Sequence, residues 1–196
     1  ASNCFGLAAI ITQVGGQPRV LPIARDNHAS LVAAFELAQG ADLIVTVGGA
    51  SVGDHDLVGG VAADLGMQQS FYKVAMRPGK PLMAGLLGDT PLIGLPGNPV
   101  SSMVCGTVFL QPAIAAMLGL PKAPAVRYRA ILAQDLAQNG TREHYMRAVI
   151  DGDQISACAR QDSALLSVLS RANALIVRPV GDCARKMGSL VDYIPL

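Results

Sequence analysis

Aromatic residues are scarce in this chain. Tryptophan is absent, and four tyrosines and four phenylalanines supply only 4% of 196 residues. With 51% of the residues hydrophobic, the core must be built of Ala, Val, Leu and Ile, which suits buried parallel strands in an α/β fold. Net charge is nearly absent too. Fifteen basic against 14 acidic residues leave +1, so there is no global pull toward nucleic acid or a membrane surface. Long apolar runs are missing, because polar residues or glycines interrupt each one, and this argues against a bilayer span. No signal peptide is visible at the start of the chain. Cys4, Cys105, Cys158 and Cys183 are dispersed without metal-type spacing and read as reduced, partly buried thiols of a cytoplasmic protein. His28, His55 and His144 form no metal cluster, and each is expected on a loop or the surface. The seven methionines read as core filler. No Ser-His-Asp nucleophile can be argued from residue order.

What the chain does have is strong local punctuation. Pro91 to Leu95 reads as a short buried strand, and Pro96-Gly97-Asn98-Pro99 follows at once. The two prolines fix φ and remove backbone donors, while Gly97 and Asn98 suit a corner and a cap. Val100, Val104 and Val108 then recur at helical spacing, which places Ser101 and Ser102 in the first turn of a helix. Upstream the pattern alternates: a helix over 5–14, a strand over 19–23, a helix over 29–39 capped by Asp26 or Asn27, a strand over 41–47, a helix around 55–65, a strand over 71–76, and a hairpin of 82–86 with 91–95. This order predicts a mostly parallel sheet with helices on both faces. After Lys122 the texture changes to short strand-like runs over 126–132, 144–150, 154–159, 174–180 and 189–194, with one or two helical turns over 163–171. That spacing predicts a small β-barrel. The expected division is therefore an α/β domain over 1–121 and an all-β barrel over 122–196.

Three loops carry the chemistry. The first, Gly48-Gly49-Ala50-Ser51-Val52-Gly53-Asp54-His55-Asp56, directly follows a strand. Its glycines let backbone amides turn inward and Ser51 adds a hydroxyl, which makes a nest for a phosphate. Asp54 and Asp56 would repel a bare phosphate and make better sense with heterocycle N–H groups or Mg²⁺. The spacing matches neither a dinucleotide fingerprint nor a Walker loop, and a tight strand-to-helix turn with solvated carboxylates is the simpler alternative. The second loop, Lys73 to Pro81, sets Lys73, Arg77 and Lys80 among Pro78 and Pro81. Rigidly mounted cations suit a tetrahedral oxyanion; a solvated charge cluster is the alternative. The third, Thr141 to Arg147, holds two arginines of opposite strand parity, so one can reach a ligand while the other holds structure.

Taken in order, these stretches resemble the molybdopterin molybdenumtransferase family, of the bacterial MoeA and gephyrin E-domain type. The carriers are Asp42 to Asp56, Lys73 to Pro81 and Gly94 to Ser101, with Thr141 to Arg147 and Ser163 to Leu196 resembling the family's C-terminal barrel. The resemblance implies a three-layer α/β/α molybdopterin-binding domain whose first strand is missing, followed by the barrel, in a C-terminal fragment of a longer chain. Two departures stand out: Val47 where the family usually has Ser, and Arg77 where Lys is usual.

The implied activity is molybdenum cofactor biosynthesis. Molybdenum from molybdate enters adenylylated molybdopterin, Mg²⁺ helps cleave the phosphoanhydride, and AMP leaves. By resemblance, Asp54 and Asp56 belong to the pterin or metal side, and Gly48, Gly49, Ser51 and Gly53 cradle phosphate. Pro96, Asn98 and Pro99 line the substrate. Lys73, Arg77, Lys80 and Ser101, with Arg142 and Ser163 from the barrel, are molybdate candidates, and Asp26 matches an acidic position near the substrate. A cytoplasmic homodimer served by a molybdopterin adenylyltransferase is implied, with no nucleic-acid or membrane partner. Two other functions compete: a non-catalytic scaffold of gephyrin type, and a competence-damage-type nucleotide-processing domain.

Overall fold

The computed structural model describes residues 3–49 and 57–196. The chain divides into two compact units: the first comprises 1–74 and 79–122, the second 75–78 and 123–196.

In the first unit, α1 (Asn3–Gln13) is followed by α2 (His28–Leu37), β1 (Ile44–Val47), α3 (Leu57–Asp64) and β2 (Gln68–Tyr72). Asn27 caps α2, its Oδ1 accepting from Ser30 N at 2.9 Å, a bond worth about 1 kcal/mol. The short β3 (Met76–Arg77) belongs to the second unit. The chain then returns for β4 (Met83–Leu87) and β5 (Thr90–Leu95), joined through a tight turn with Gly88 at φ 59°. Sheet order is β1-β5-β4-β2. Leu31 and Phe35 of α2 and Val61 and Ala62 of α3 pack with Ile44, Met83 and Leu92 on one side. On the other, Gly106 lies against Leu7 and Ile10 of α1. Leu92 and Leu95 are fully buried, each worth roughly 1.5–3 kcal/mol against exposure. The result is the three-layer α/β/α arrangement.

A long helix follows β5. It comprises α4 (Pro99–Cys105), a π-helical turn over Gly106–Leu110, and α5 (Gln111–Met117). Pro112 cannot donate to the helix ladder and its ring crowds the carbonyl a turn earlier; the wider π turn just before it absorbs both effects. The glycine and polar residues that interrupt the sequence here do not interrupt the helix. Pro99–Met117 is therefore long and apolar enough to cross a bilayer by length and composition, contrary to the reading of the sequence runs. Half of that stretch is buried inside the protein, which suits a core helix.

The second unit contains β6 (Tyr128–Leu132), β7 (Glu143–Asp151), β8 (Gln154–Ala157), α6 (Leu166–Leu169), β9 (Ala174–Arg178) and β10 (Leu190–Pro195). The order β7-β8-β6-β10-β9 closes through a β7–β9 pairing, which gives a five-stranded barrel. Closure removes the open edges that short strands would otherwise expose. Leu132, Ala148, Ile155, Ala174 and Ile176 fill the interior. Strand β3 adds in parallel alongside the start of β7.

Several sequence expectations need correction. The mostly parallel sheet is not found among the described strands: β1–β5 is parallel, while β5–β4 and β4–β2 are antiparallel. Residues 19–23 form no strand; Pro18 and Pro22 each lack a ladder donor, and Val20 and Ile23 stay exposed. The strand over 41–47 is only Ile44–Val47, the β-branched part. The strand over 71–76 is broken because Lys73 sits at φ 74°, the left-handed region. The one or two helical turns expected over 163–171 are found as the single turn Leu166–Leu169.

Candidate functional site

Parallel pairing of β1 with β5 brings their carboxyl ends together, with Val47 opposite Leu95. The loop after each strand begins there. Gly48 N donates to Leu95 O at 3.0 Å. A Cβ built on Gly97 would come within 3.2 Å of Gly48 Cα, so the two loops touch backbone to backbone and a side chain there would press the Gly48 backbone away. Gly48 and Gly49 both have positive φ, 85° and 75°. Gly49 carries a further constraint, because a Cβ there would meet Val58 Cγ2 at 2.2 Å. That glycine is required by packing against α3 before any ligand is considered. Ser51, Gly53, Asp54 and Asp56 lie outside the described residues.

The second of these loops is held from several sides. Ser102 Oγ donates to Pro96 O, and Asn3 Nδ2 donates to Gly97 O at 2.8 Å. Asn98 Oδ1 accepts from Ser101 N at 3.5 Å, the long limit of a hydrogen bond. Pro96, Asn98, Pro99 and Ser101 are thus gathered at the head of α4, beside Gly48. Ser101 is buried. Thr46, on β1 just before this corner, has a buried Oγ1 without a partner among the described residues. Asp26 is exposed ahead of α2.

The ends of the cationic loop, Lys73-Val74 and Gly79 to Pro81, are held in the first unit. Lys73 N donates to Leu82 O at 2.8 Å, and Lys80 O accepts from Val74 N and Leu82 N, both at 3.0 Å. Lys73 Nζ lies 4.8 Å from the centroid of the Tyr72 ring, a cation–π approach. Gly79 is buried, and its carbonyl accepts from the Cys105 thiol at 3.9 Å. Burial pushes that thiol up to about 12, so it stays protonated. The Lys80 side chain itself is exposed.

Arg77 sits in the second unit, on β3, beside His144 of β7. His144 also pairs with Arg178 across β9. The expectation of a loop or surface histidine fails here: His144 is buried. Strand parity put it inside, and only the β3 and β9 pairings reveal its neighbours. Burial first, then the charges of Arg77, Arg147, Arg178 and Arg142, push its imidazole down to about 4. His28 is exposed and bonds Asp64 at 3.3 Å; His55 lies outside the described residues.

Arg142 is exposed, just before β7. Its carbonyl accepts from Asn139 Nδ2 at 2.9 Å, and the same amide reaches the carbonyls of Arg178 and Pro179. The Gln138-Asn139-Gly140 stretch reads in sequence as a turn separator; in the structure it anchors a candidate ligand residue. Arg178 is buried and paired with Asp182 at 2.5 Å. Burial opposes the Asp182 charge, but hydrogen bonds from Arg185 and Arg178 hold its carboxyl below the usual range. Arg147 is 1% exposed and bonds Gln161 and the Asp162 carbonyl. Ser163 is half-buried in the turn that follows. Among the described residues, no three His, Cys, Asp or Glu side chains gather into a metal-holding group.

A three-layer α/β domain with glycine and proline loops meeting at adjacent strand ends is joined in sequence to a closed five-stranded barrel, and each part matches a known family. The family described as a probable molybdopterin binding domain matches residues 2–116, and the MoeA C-terminal region, domain IV, matches 129–196. The chain belongs to the first of these families, and its C-terminal part matches the second. A molybdopterin molybdenumtransferase of a Nostoc species is 35% identical over all of the chain and 48% of that relative. Molybdopterin molybdenumtransferase 2 of Mycobacterium tuberculosis is 34% identical over 76% of the chain and 38% of its own length. Two solved structures of the molybdopterin biosynthesis MoeA protein of Pyrococcus horikoshii superpose with TM-scores of 0.83 and 0.79 at 25% and 20% identity. They cover 98% and 99% of the chain and 47% and 46% of their own. The chain thus spans at most about half the length of these relatives.

Proposed function

We propose that this chain is the part of a molybdopterin molybdenumtransferase that holds adenylylated molybdopterin and molybdate, transfers molybdenum to the dithiolene and releases AMP. The observation that carries the reading is the backbone contact of the Gly48–Gly49 and Pro96–Pro99 loops at the ends of β1 and β5, in a chain that matches a probable molybdopterin binding domain followed by the MoeA C-terminal region. Ligands of open α/β sheets bind outside the carboxyl ends of such strands. The glycine loop, with Ser51 and Gly53, cradles phosphate through backbone amides. Pro96, Asn98, Pro99 and Ser101 shape the neighbouring wall, and Asp26 serves the substrate from the start of α2. Lys73 and Lys80 of the first unit are the proposed oxyanion ligands beside this loop; Arg77, Arg142 and Ser163 of the second unit are assigned to molybdate by family resemblance alone. Fixed cations stabilise the negative charge of molybdate and of the phosphoanhydride as its bond breaks.

The described residues do not by themselves make a metal centre. Mg²⁺ is assigned to Asp54 and Asp56 by family resemblance alone. A cytoplasmic homodimer supplied by a molybdopterin adenylyltransferase completes the proposal. The similar proteins are named as transferases, and no observation here favours a scaffold or a nucleotide-processing enzyme.

The test is AMP release from adenylylated molybdopterin as molybdate is raised. Lys80→Ala is expected to raise the molybdate needed for half-maximal release about ten-fold or more, with pterin affinity little changed. Lys122→Ala, at the end of the first unit, should change neither. Equal losses from both would mean general charge attraction and would refute a built oxyanion site.

A further inference from the structure

Strand β8 ends where a side chain takes over its pairing. Ala148 pairs with Ala157, and Cys158 N still donates to Arg147 O at 2.8 Å. The reciprocal bond of a regular antiparallel ladder would run from Arg147 N to Cys158 O. Instead the carboxamide of Gln161 stands between them. Its Oε1 accepts from Arg147 N at 3.0 Å, and its Nε2 donates to Cys158 O at 2.8 Å and to Arg147 O at 2.9 Å. The side chain acts as an inserted peptide group, and the chain after Cys158 leaves the barrel without orphaning a backbone donor or acceptor.

The Arg147 guanidinium closes on the same residue. Nε and Nη2 both donate to Gln161 Oε1 at 3.3 Å, and Nη1 donates to Asp162 O at 2.8 Å. That carbonyl also accepts from Leu165 N at 3.2 Å, and Asp162 Oδ1 accepts from Ala164 N at 2.9 Å. Ser163 therefore sits in an Asp162–Leu165 turn tied to the barrel through one buried cation. Among the described residues no carboxylate lies within ion-pair distance of Arg147. Its hydrogen-bond partners are a neutral amide and a carbonyl, and the Asp162 carboxylate of the same turn acts on it through space.

We infer that Gln161 and Arg147 are positioning residues for the oxyanion step: they fix the turn that carries Ser163. The inference rests on the proposed reading of Ser163 as an oxyanion ligand.

The experiment is calorimetric titration of the 196-residue protein with sodium molybdate, for Ser163→Ala, Gln161→Met and the double variant. Each single change is expected to weaken binding about ten-fold, and the double change no more than the worse single one, because a Ser163 on a loosened turn is already lost. General destabilisation of the barrel would not produce that non-additivity. Wild-type affinity in Gln161→Met, with Ser163→Ala weakened, would overturn the inference and leave Ser163 as a ligand. Losses that multiply to about a hundred-fold would also overturn it, since the two residues would then act independently. Wild-type affinity in both Ser163→Ala and Lys80→Ala would remove the oxyanion reading itself, and the inference with it. If Gln161→Met fails to fold, Arg147→Lys decides the matter. It keeps a cation and the backbone bonds but cannot span Gln161 and Asp162 together, so binding should weaken several-fold; unchanged affinity would overturn the inference.

Discussion

Acid should weaken the barrel through His144. The histidine is buried between Arg77 on β3 and Arg178 on β9, with Arg147 and Arg142 also in its field. All four neighbours are guanidinium groups that keep their charge across the accessible pH range. The imidazole is therefore held neutral, down to about 4, against about 6.5 in an unfolded chain. The unfolded state binds the extra proton first as pH falls, so stability is complete above about pH 7 and declines toward pH 4. Linkage between those two values gives a loss of about 2 kcal/mol from pH 7.5 to pH 5. That is a large fraction of the ~5–15 kcal/mol typical of a domain. Asp182 has its carboxyl held low, so its contribution is lost only below this window. The assay is urea unfolding followed by tyrosine emission. Tryptophan is absent, and Tyr128, Tyr145 and Tyr193, three of the four tyrosines, report on the barrel. His144→Leu keeps an apolar side chain of similar bulk and removes the titrating group. The wild type should lose about 2 kcal/mol more than this variant between pH 7.5 and pH 5. Parallel pH slopes for the two proteins would refute the buried neutral histidine.

Two further outcomes follow from the first unit's packing and from the thiols. Gly97→Ala forces a Cβ toward Gly48 Cα and should cost about 1–2 kcal/mol in chemical denaturation, whereas Gly60→Ala, on the exposed side of α3 with open space around it, should stabilise by about 0.5–1 kcal/mol. A thiol reagent at pH 8 should modify exposed Cys183 quickly and leave buried, protonated Cys105 untouched until the protein unfolds; rapid native-state labelling of Cys105, read by mass spectrometry, would contradict its burial.

Much of the local architecture is legible in the residues because it depends on near neighbours. Pro96, Asn98 and Pro99 end a strand, cap a helix and start it within a few residues, and β-branched Ile44 to Val47 extends whatever its partner. The alternation that turns to short strands after Lys122 separates an α/β region from a barrel for the same reason. Long-range pairings were not legible. Sheet sense is set by which strands meet, and β4 and β2 pair antiparallel although their sequences suit either arrangement. The meeting of Gly48 with Gly97 exists only because β1 and β5 are neighbours, and residues 19–23 carry strand-forming types but no partner. Likewise Arg147, Gln161 and His144 are unremarkable in order along the chain. Barrel closure places His144 between two arginines and makes a glutamine the end of a strand. By itself the sequence determined the elements and the chemistry they carry, because propensity and turn geometry act over a few bonds. Only the tertiary structure decided which of those groups share a site, because burial, charge and ladder pairing act between residues far apart in the chain.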